Sequence, residues 1–344
     1  MRQGIGLAGA VTALLAVATT GTASAASLGG WGTIRADMSD GTLVWSDAQP
    51  AKTRTFTYWR TDVGTARVSG THIVSGGKPV VVRTSAGPLA AGEIRATGTP
   101  GDFTLAATGA AFAGPVIWCC TPEHVEVVVS SDGDGAAPRP YGVGLDGARV
   151  RWIATGPAGA VLGSADPVEN AERATSAPIP GNPGPGLASI SQGIATWADL
   201  GGTAIRIGVP SDAGVSGIRE VAQGGQVVQV RALPGFVVAV VRAAGWRVTR
   251  TDTATGDVRV VWRGSVRPQV GVGGQAIVIG AGRTILASRG GTARTVASAH
   301  GPIAAVATDG TRVVVFERVS RTTGTGSHVT TKRTTAVRIA GTVR

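Results

Sequence analysis

The segment from Trp118 to Glu126 holds the densest set of reactive side chains in this chain. It contains Cys119 and Cys120, the only cysteines, so a disulfide between distant parts of one chain is excluded. Three interpretations of the adjacent pair stay open: two small buried apolar residues, a vicinal disulfide formed in an oxidising compartment, or a metal-binding or catalytic pair. No ligand spacing of the kind that zinc sites use surrounds them.

The same segment continues with a histidine between two glutamates. Alternate residues of a strand share a face, so His124 and Glu126 point one way and Glu123 the other. A histidine beside a carboxylate is suited to general acid–base chemistry. The alternative is a salt-bridged strand edge exposed to solvent.

The stretch 132–135 reads Asp-Gly-Asp-Gly and is similar to part of a calcium-binding loop. Asp132 and Asp134 alternate, and the glycines would let their carboxylates converge on one ion. The glutamate that closes such a loop at its twelfth position is missing, because Tyr141 stands there. The stretch predicts a hairpin turn, with a weak calcium site as the alternative, and no other cofactor is expected.

Signatures of enzymes are weak in the rest of the chain. The four histidines show no metal-binding spacing, and no Gly-x-Ser-x-Gly nucleophile elbow occurs. A Gly-x-Gly-x-x-Gly match between Gly142 and Gly147 lacks the strand–turn–helix context that a dinucleotide site requires. We therefore assign no catalytic residue and favour a binding function over an enzymatic one.

Charge is distributed unevenly along the sequence. The net charge is +11, and all but three of the 32 basic residues are arginine. Residues 1–220 carry 15 basic and 17 acidic groups, whereas residues 221–344 carry 17 basic and 4 acidic groups. Such asymmetry between two halves indicates an anionic partner.

Arginines recur beside tryptophans in the basic half, and four of them are candidate anion-binding residues: Arg247, Arg259, Arg263 and Arg267. Apolar and basic residues alternate over 258–263, which predicts a strand with its apolar face inward and a basic stripe outward. Guanidinium groups form forked hydrogen bonds with phosphate and carboxylate groups. The alternative is a solvated basic surface without a dedicated partner.

The elements that must position these residues repeat along the chain. A turn with glycine followed by a short apolar strand recurs with the glycine at 41, 101, 147, 193, 235, 274 and 310. The spacing centres on about 40–45 residues, the length of a four-stranded propeller blade. No helical periodicity of ten or more residues follows residue 26. The pattern predicts an all-β chain forming a single β-propeller of seven blades, with six or eight as neighbouring counts.

Two of these turns, at 39–46 and 308–316, place Asp-Gly before an apolar strand that contains or ends in an aromatic residue. In this they resemble the TolB-type, WD40-like β-propeller repeat. The resemblance implies the propeller fold, and a role as a binding platform or as an accessory domain beside a catalytic one.

Two further expectations concern the connections. The proline-rich stretch 178–186 is expected to be neither strand nor helix. It is interpreted as a long loop between blades, with a domain linker or a flap over one face as alternatives. The strand near Thr33–Arg35 is expected to pair in the same blade as the C-terminal strand, which would remove two exposed sheet edges.

The first 25 residues resemble a secretory signal peptide. Arg2 precedes an uncharged apolar stretch from Ile5 to Val17, and the small residues Ala23-Ser24-Ala25 form a cleavage site. We therefore expect a signal peptide over 1–25, a propeller domain over 26–344 and no transmembrane segment after cleavage. The expected location is secreted, extracellular or associated with the cell envelope.

These observations predict an exported, monomeric, non-enzymatic β-propeller that binds an anionic cell-envelope polymer or a partner protein. Specific nucleic-acid recognition is not expected, because the export signal argues against a genomic target. Two alternatives are a propeller-fold hydrolase or lyase acting on an extracellular polymer, and a lectin-like propeller whose tryptophans stack on sugars.

Overall fold

The computed structural model describes residues 26–29, 33–39, 42–48, 56–62, 67–71, 81–84, 87–90, 93–97, 116–117, 120–121, 124–129, 139–146, 149–156, 158–165, 175–323 and 330–343. These residues form strands and turns, with no helix among them, so the all-β prediction is confirmed. Within the same ranges, no helix could cross a membrane.

The strands of the N-terminal part form antiparallel ladders. Sheet I contains β2 (Thr33–Ser39), β3 (Thr42–Ala48), β4 (Phe56–Asp62) and β5 (Arg67–Thr71) in chain order. A two-stranded ladder follows, with β6 (Val81–Thr84) and β7 (Gly87–Ala90). Sheet II contains β8 (Glu93–Thr97), β9 (Val116–Ile117), β10 (Cys120–Thr121) and β11 (His124–Val129), and β11 pairs with each of the others.

Four regular four-stranded meanders come next, each in chain order. Sheet III contains β12 (Arg139–Asp146), β13 (Arg149–Gly156), β14 (Gly159–Ala165) and β15 (Thr175–Ile179). Sheet IV contains β16 (Pro183–Ser191), β17 (Ile194–Asp199), β18 (Ala204–Ser211) and β19 (Gly214–Ala222). Sheet V contains β20 (Gln226–Leu233), β21 (Phe236–Arg242), β22 (Trp246–Asp252) and β23 (Val258–Gly264), and sheet VI contains β24 (Gln269–Gly273), β25 (Ala276–Ala281), β26 (Thr284–Ser288) and β27 (Arg294–Ser298).

The last sheet joins the two ends of the described chain. Sheet VII contains β28 (Ile303–Thr308), β29 (Arg312–Thr323), β30 (Thr330–Thr342) and β1 (Ala26–Gly29), with β1 antiparallel to β30. The expectation that Thr33–Arg35 provides this strand is wrong, because those residues lie in β2 and pair with β3 in sheet I. The joining strand lies seven residues earlier, next to the predicted cleavage site.

The second strands of sheets IV, V and VI are buried on both faces. In β21 every residue from Phe236 to Val241 is buried, and β17 and β25 follow the same pattern. Such strands are continuous apolar runs because another sheet covers each face. Apolar clusters accordingly fill the spaces between sheets IV and V, V and VI, and VI and VII.

The first strands of successive sheets lie side by side: β12 by β16, β16 by β20, β24 by β28, and β28 by β2. Glycine permits this close approach between β24 and β28. A β-carbon at Gly271 would lie 2.5 Å from the Val306 carbonyl oxygen and 2.9 Å from Cα of Ala307. The two backbones therefore leave no room for a side chain at this position.

The proline-rich stretch does form strand structure at both of its ends, contrary to expectation. Pro178 lies in β15, the outer strand of sheet III, and Pro183 begins β16. Proline is tolerated at a sheet edge and at the first residue of a strand because no ladder hydrogen bond is lost there. The β16–β17 register shifts between Pro183 and Ala188, so Gly184, Pro185 and Gly186 fall in an irregularity, and Pro180 and Gly181 lie in the connection between β15 and β16.

Polar contacts also join neighbouring sheets. Asp146 accepts a hydrogen bond from the Gly193 amide at 2.7 Å, which links the first turns of sheets III and IV. Buried Arg151 donates to Asp146 at 2.7 Å and to Asp212 of sheet IV at 3.0 Å. Ser164 donates to the same Asp212 oxygen at 2.9 Å. Each charge in this cluster has a partner, and the cluster fixes the sheets against each other.

Candidate anion-binding surface

Each meander has two distinct ends. We call the end where the first strand starts the entry end, and it also carries the turn between the second and third strands. The opposite end, the far end, carries the other two turns. Because Gly271 of β24 lies against Val306 of β28, and Gly273 lies against Thr308, these neighbouring first strands run in the same direction. Their entry ends therefore lie on one side.

At the entry end of sheet V, two arginines flank a tryptophan. The guanidinium carbons of Arg242 and Arg267 lie 6.0 Å and 5.7 Å from the centroid of the Trp246 ring. Both arginines are exposed, and Trp246 is half-buried against the apolar cluster between sheets V and VI. A guanidinium over an indole gains cation–π attraction while its N–H groups remain directed to solvent.

The other face of the same end carries a second pair of arginines. Arg247 of β22 lies directly opposite Arg263 of β23. Arg247 donates to the Gly224 carbonyl oxygen at 2.6 Å, whereas its Nε is buried without a hydrogen-bond partner among the described residues. Like charges directly opposite in a ladder repel each other, so an anion between them would be stabilising.

A β-bulge separates Arg259 from this group. Val248 pairs with Trp262 and Thr249 pairs with Val260, so Val261 is an extra residue in β23. The expected alternation over 258–263 is therefore wrong: Val261 is 1% exposed and Val258 is 37% exposed. An extra residue in a strand places the residues on its two sides out of phase, so that alternate positions no longer share a face. For this reason the alternation alone wrongly put Arg259 and Arg263 on the same face.

Arg259 lies near the far end, opposite Arg250 and on the other face from Arg263. Arg250 stacks on the Phe236 ring at 3.9 Å. Burial lowers the pKa of Arg250; Asp252 raises it and Arg259 lowers it further, with a net decrease. An arginine keeps its charge under such shifts. The structure thus groups Arg247, Arg263 and Arg267 with Arg242 and leaves Arg259 apart.

Two other sheets, IV and VII, have a carboxylate at this position of the entry end. In sheet IV, Asp199 accepts from the Asn182 amide at 2.6 Å and from Arg206 at 2.8 Å. Burial raises the pKa of Asp199, but those two hydrogen-bond donors lower it more. The Asp199 carboxylate therefore binds the segment between β15 and β16 to sheet IV.

Sheet VII repeats this arrangement with Glu317, which accepts from the His300 amide at 3.1 Å and from Arg338 at 2.6 Å. In the ladders, Asp199, Arg242 and Glu317 each pair with the first residue of the first strand. Sheet V therefore has an arginine where sheets IV and VII have a carboxylate. The segment between β19 and β20, which leads into sheet V, is held instead by the hydrogen bond from Arg247 to the Gly224 carbonyl oxygen.

The acidic residues of the basic half lie away from this surface. Asp252 and Asp257 flank the far-end turn of sheet V, and Asp309 forms the far-end turn of sheet VII. The fourth, Glu317, is 1% exposed and bound to Arg338. None of the four arginines at the entry end of sheet V forms an ion pair with a described residue. This group, Arg242, Arg247, Arg263 and Arg267, is hereafter the basic end of sheet V.

Arg242 was missed as a candidate from the sequence, where it stands alone between Val241 and Ala243. Its only signal is its position four residues before Trp246, which becomes meaningful once the intervening residues form a hairpin turn. The ladder then places Arg242 directly opposite Trp246.

The other candidates lie outside the residues whose side chains the structure describes. Asp132, Asp134 and Cys119 fall outside the described ranges, and Cys120 and His124 are described only as backbone in β10 and β11. The calcium site and the vicinal disulfide therefore stay predictions. Among the described residues, no group of three or more His, Cys, Asp or Glu side chains could hold a metal ion.

No protein-family model and no curated protein matches this chain. Its fold resembles that of a puromycin hydrolase mutant complexed with PGG, with TM-score 0.53 and 14% identity over 95% of this chain and 55% of that one. Puromycin hydrolase itself aligns with TM-score 0.50 and 14% identity, over 90% of this chain and 53% of that one. This chain thus spans about half the length of both. At such identity the likeness shows only a propeller-like all-β fold.

Proposed function

We propose that this protein is an exported, non-enzymatic β-propeller whose basic end of sheet V binds a linear polyanion of the cell envelope. The observation that carries the proposal is the concentration of four arginines, without an ion-paired carboxylate from the described residues, at one end of one sheet. Forked guanidinium groups suit the phosphate or carboxylate groups that recur along such polymers.

Charge on the neighbouring sheets supports a polymer rather than a single small anion. Arg283 lies in the entry-end turn of sheet VI, and Arg321 lies in the extension of β29 beyond the entry end of sheet VII. Arg283 and Arg321 are both exposed. The three consecutive sheets thus carry exposed arginines at this end, and none of their described residues places an exposed carboxylate there. A chain with regularly spaced anionic groups would match that arrangement.

We further propose that the sheets form a closed ring of seven blades. Its supports are the succession of four-stranded sheets along the chain, the side-by-side first strands, and the pairing of β1 with β30. Pairing of the first strand with the last sheet removes the exposed edges that an open array would leave. In such a ring the entry ends form one face, which is the face proposed for binding.

Salt-gradient chromatography on dextran sulfate resin tests the surface. The double variant R263Q/R267Q should elute at clearly lower salt than wild type, because each lost phosphate-type contact reduces the dependence on counterion release. Arg247 is left intact, since it also holds the Gly224 connection.

The matched control is R219Q/R259Q, which removes the same number of exposed charges elsewhere. It should elute close to wild type. If the two double variants elute at the same salt concentration, net charge alone explains the retention, and the proposed surface is overturned. Failure of wild type to bind the resin at physiological salt would overturn polyanion binding altogether.

The export component has its own test. When the full chain is produced in a secreting bacterial host, the N-terminus of the protein in the medium should begin at Ala26. Retention of residues 1–25 on protein that stays inside the cell would contradict it.

A further inference from the structure

A polar cavity of about 910 Å³ lies between sheets VI and VII, at their far ends. Its walls are the end of β26, most of β27 and the end of β30. This position separates it from the basic end of sheet V, which lies at the entry end. Its volume is within the range of sites that hold small organic ligands.

The polar side chains of the cavity are of two kinds, guanidinium and hydroxyl, and they are Arg289, Arg294, Ser288, Thr292, Thr295 and Thr342. None of the described residues that line it is acidic. Positive charge together with several hydroxyl groups suits a ligand that has one anionic group and several hydroxyls of its own.

The turn between β26 and β27, which carries Arg289 and Thr292, is held by hydrogen bonds before any ligand arrives. The Ser288 hydroxyl donates to the Gly291 carbonyl oxygen at 2.5 Å and accepts from the Gly290 amide at 3.1 Å. The Ala293 amide donates to the Val261 carbonyl oxygen of sheet V at 2.9 Å. A site fixed in this way loses little conformational entropy on binding.

The two arginines differ in their partners. Arg289 donates to the Gly310 carbonyl oxygen of sheet VII at 2.6 Å, which orients its guanidinium across the boundary between the sheets. Arg294 is exposed and forms no ion pair with a described residue. Arg294 is therefore the group whose charge is available to a ligand, and Arg289 positions the wall.

We propose that this cavity binds a sugar acid or a sugar phosphate, with Arg294 on the anionic group and the threonine hydroxyls on the sugar ring. The anionic group contributes a charge-assisted hydrogen bond, and the ring hydroxyls replace water at Thr292, Thr295 and Thr342. The site does not depend on polyanion binding at sheet V.

Isothermal titration calorimetry of the purified protein with D-glucuronate and D-glucose 6-phosphate tests the proposal, with D-glucose as the neutral probe. Both anions should bind saturably at one site, and glucose at least tenfold more weakly. R294Q should weaken both anions at least tenfold. The control R219Q, which removes an exposed arginine from β19 of sheet IV, should bind them as wild type does.

A second measurement tests the contacts between the threonine hydroxyls and the sugar ring. Inorganic phosphate should bind more weakly than glucose 6-phosphate, and T295V should reduce that difference. Equal affinity for inorganic phosphate and the sugar phosphate would overturn the sugar assignment. Equal affinity of R294Q and wild type, or no saturable binding of either anion, would overturn the site.

Discussion

Single carboxylates in this protein act as hydrogen-bond acceptors for backbone amides as much as charge partners. Asp309 accepts from the amides of Thr311 at 2.9 Å and Arg312 at 2.7 Å, and from the Arg312 side chain at 2.9 Å. Burial raises the pKa of Asp309, but these donors outweigh it and hold the pKa below its ordinary value. The aspartate of the repeated Asp-Gly turn is therefore a structural residue.

The substitution D309A should lower the free energy of unfolding by about 1–3 kcal/mol at neutral pH, because two amides and a guanidinium lose their acceptor. A carboxyl group with a depressed pKa stabilises the fold above its unfolded pKa of about 3.9. That contribution disappears as the pH falls through the lower, folded pKa. Urea unfolding of wild type and variant at neutral and acidic pH measures both effects.

The control for D309A is D257A, which removes an exposed aspartate from a turn at the far end of sheet V. It should change stability by less than about 0.5 kcal/mol. If the difference in the free energy of unfolding between D309A and wild type were the same at acidic and neutral pH, the role assigned to the Asp309 carboxylate would be contradicted.

At the scale of strands, the register of a ladder decides which side chains meet. The single extra residue Val261 moves Arg259 away from Arg263 onto the opposite face of sheet V. At the same scale, glycine sets how closely the first strands approach. Gly271 is the position where β24 contacts the backbone of β28.

The substitution G271A should destabilise the protein by about 1–3 kcal/mol, since a methyl group would overlap the Val306 carbonyl and force the strands apart. Thermal unfolding followed by circular dichroism measures the change. G291A is the matched control, because a β-carbon there meets no atom within 4 Å. Equal melting temperatures for the two variants would contradict the close approach of the first strands.

At the scale of the whole molecule, β1 and β30 join the first described residues to the last sheet. Four consecutive pairs, from Ala26 with Val337 to Gly29 with Thr334, make this ladder. Without β1, strand β30 would present unpaired backbone groups along its outer edge, which is a template for pairing with another chain.

A chain that starts at Gly30 should therefore melt a few degrees below one that starts at Ala26 and should associate at high concentration. Differential scanning calorimetry and analytical ultracentrifugation measure the two effects. If the two chains had the same melting temperature and the same association state, the β1–β30 ladder would contribute nothing to the fold.

The amino-acid sequence alone was enough to establish the all-β class and the repeated strand-and-turn unit. These are local properties, since Asp-Gly turns and apolar strands need only their immediate neighbours to be read. It also determined that the second half of the chain is cationic, because charge composition does not depend on folding.

Which arginines lie together depends instead on how the strands pair in the folded protein. The β21–β22 ladder places Arg242 opposite Trp246, and the bulge in β23 places Arg259 on the other face from Arg263. Neither arrangement can be read from the residue spacing within one strand. Register and bulges are fixed by the fit of a strand to its partner and to the sheets on both faces. The tolerance of Pro178 in β15 has the same origin, because only the completed sheet makes that strand an edge.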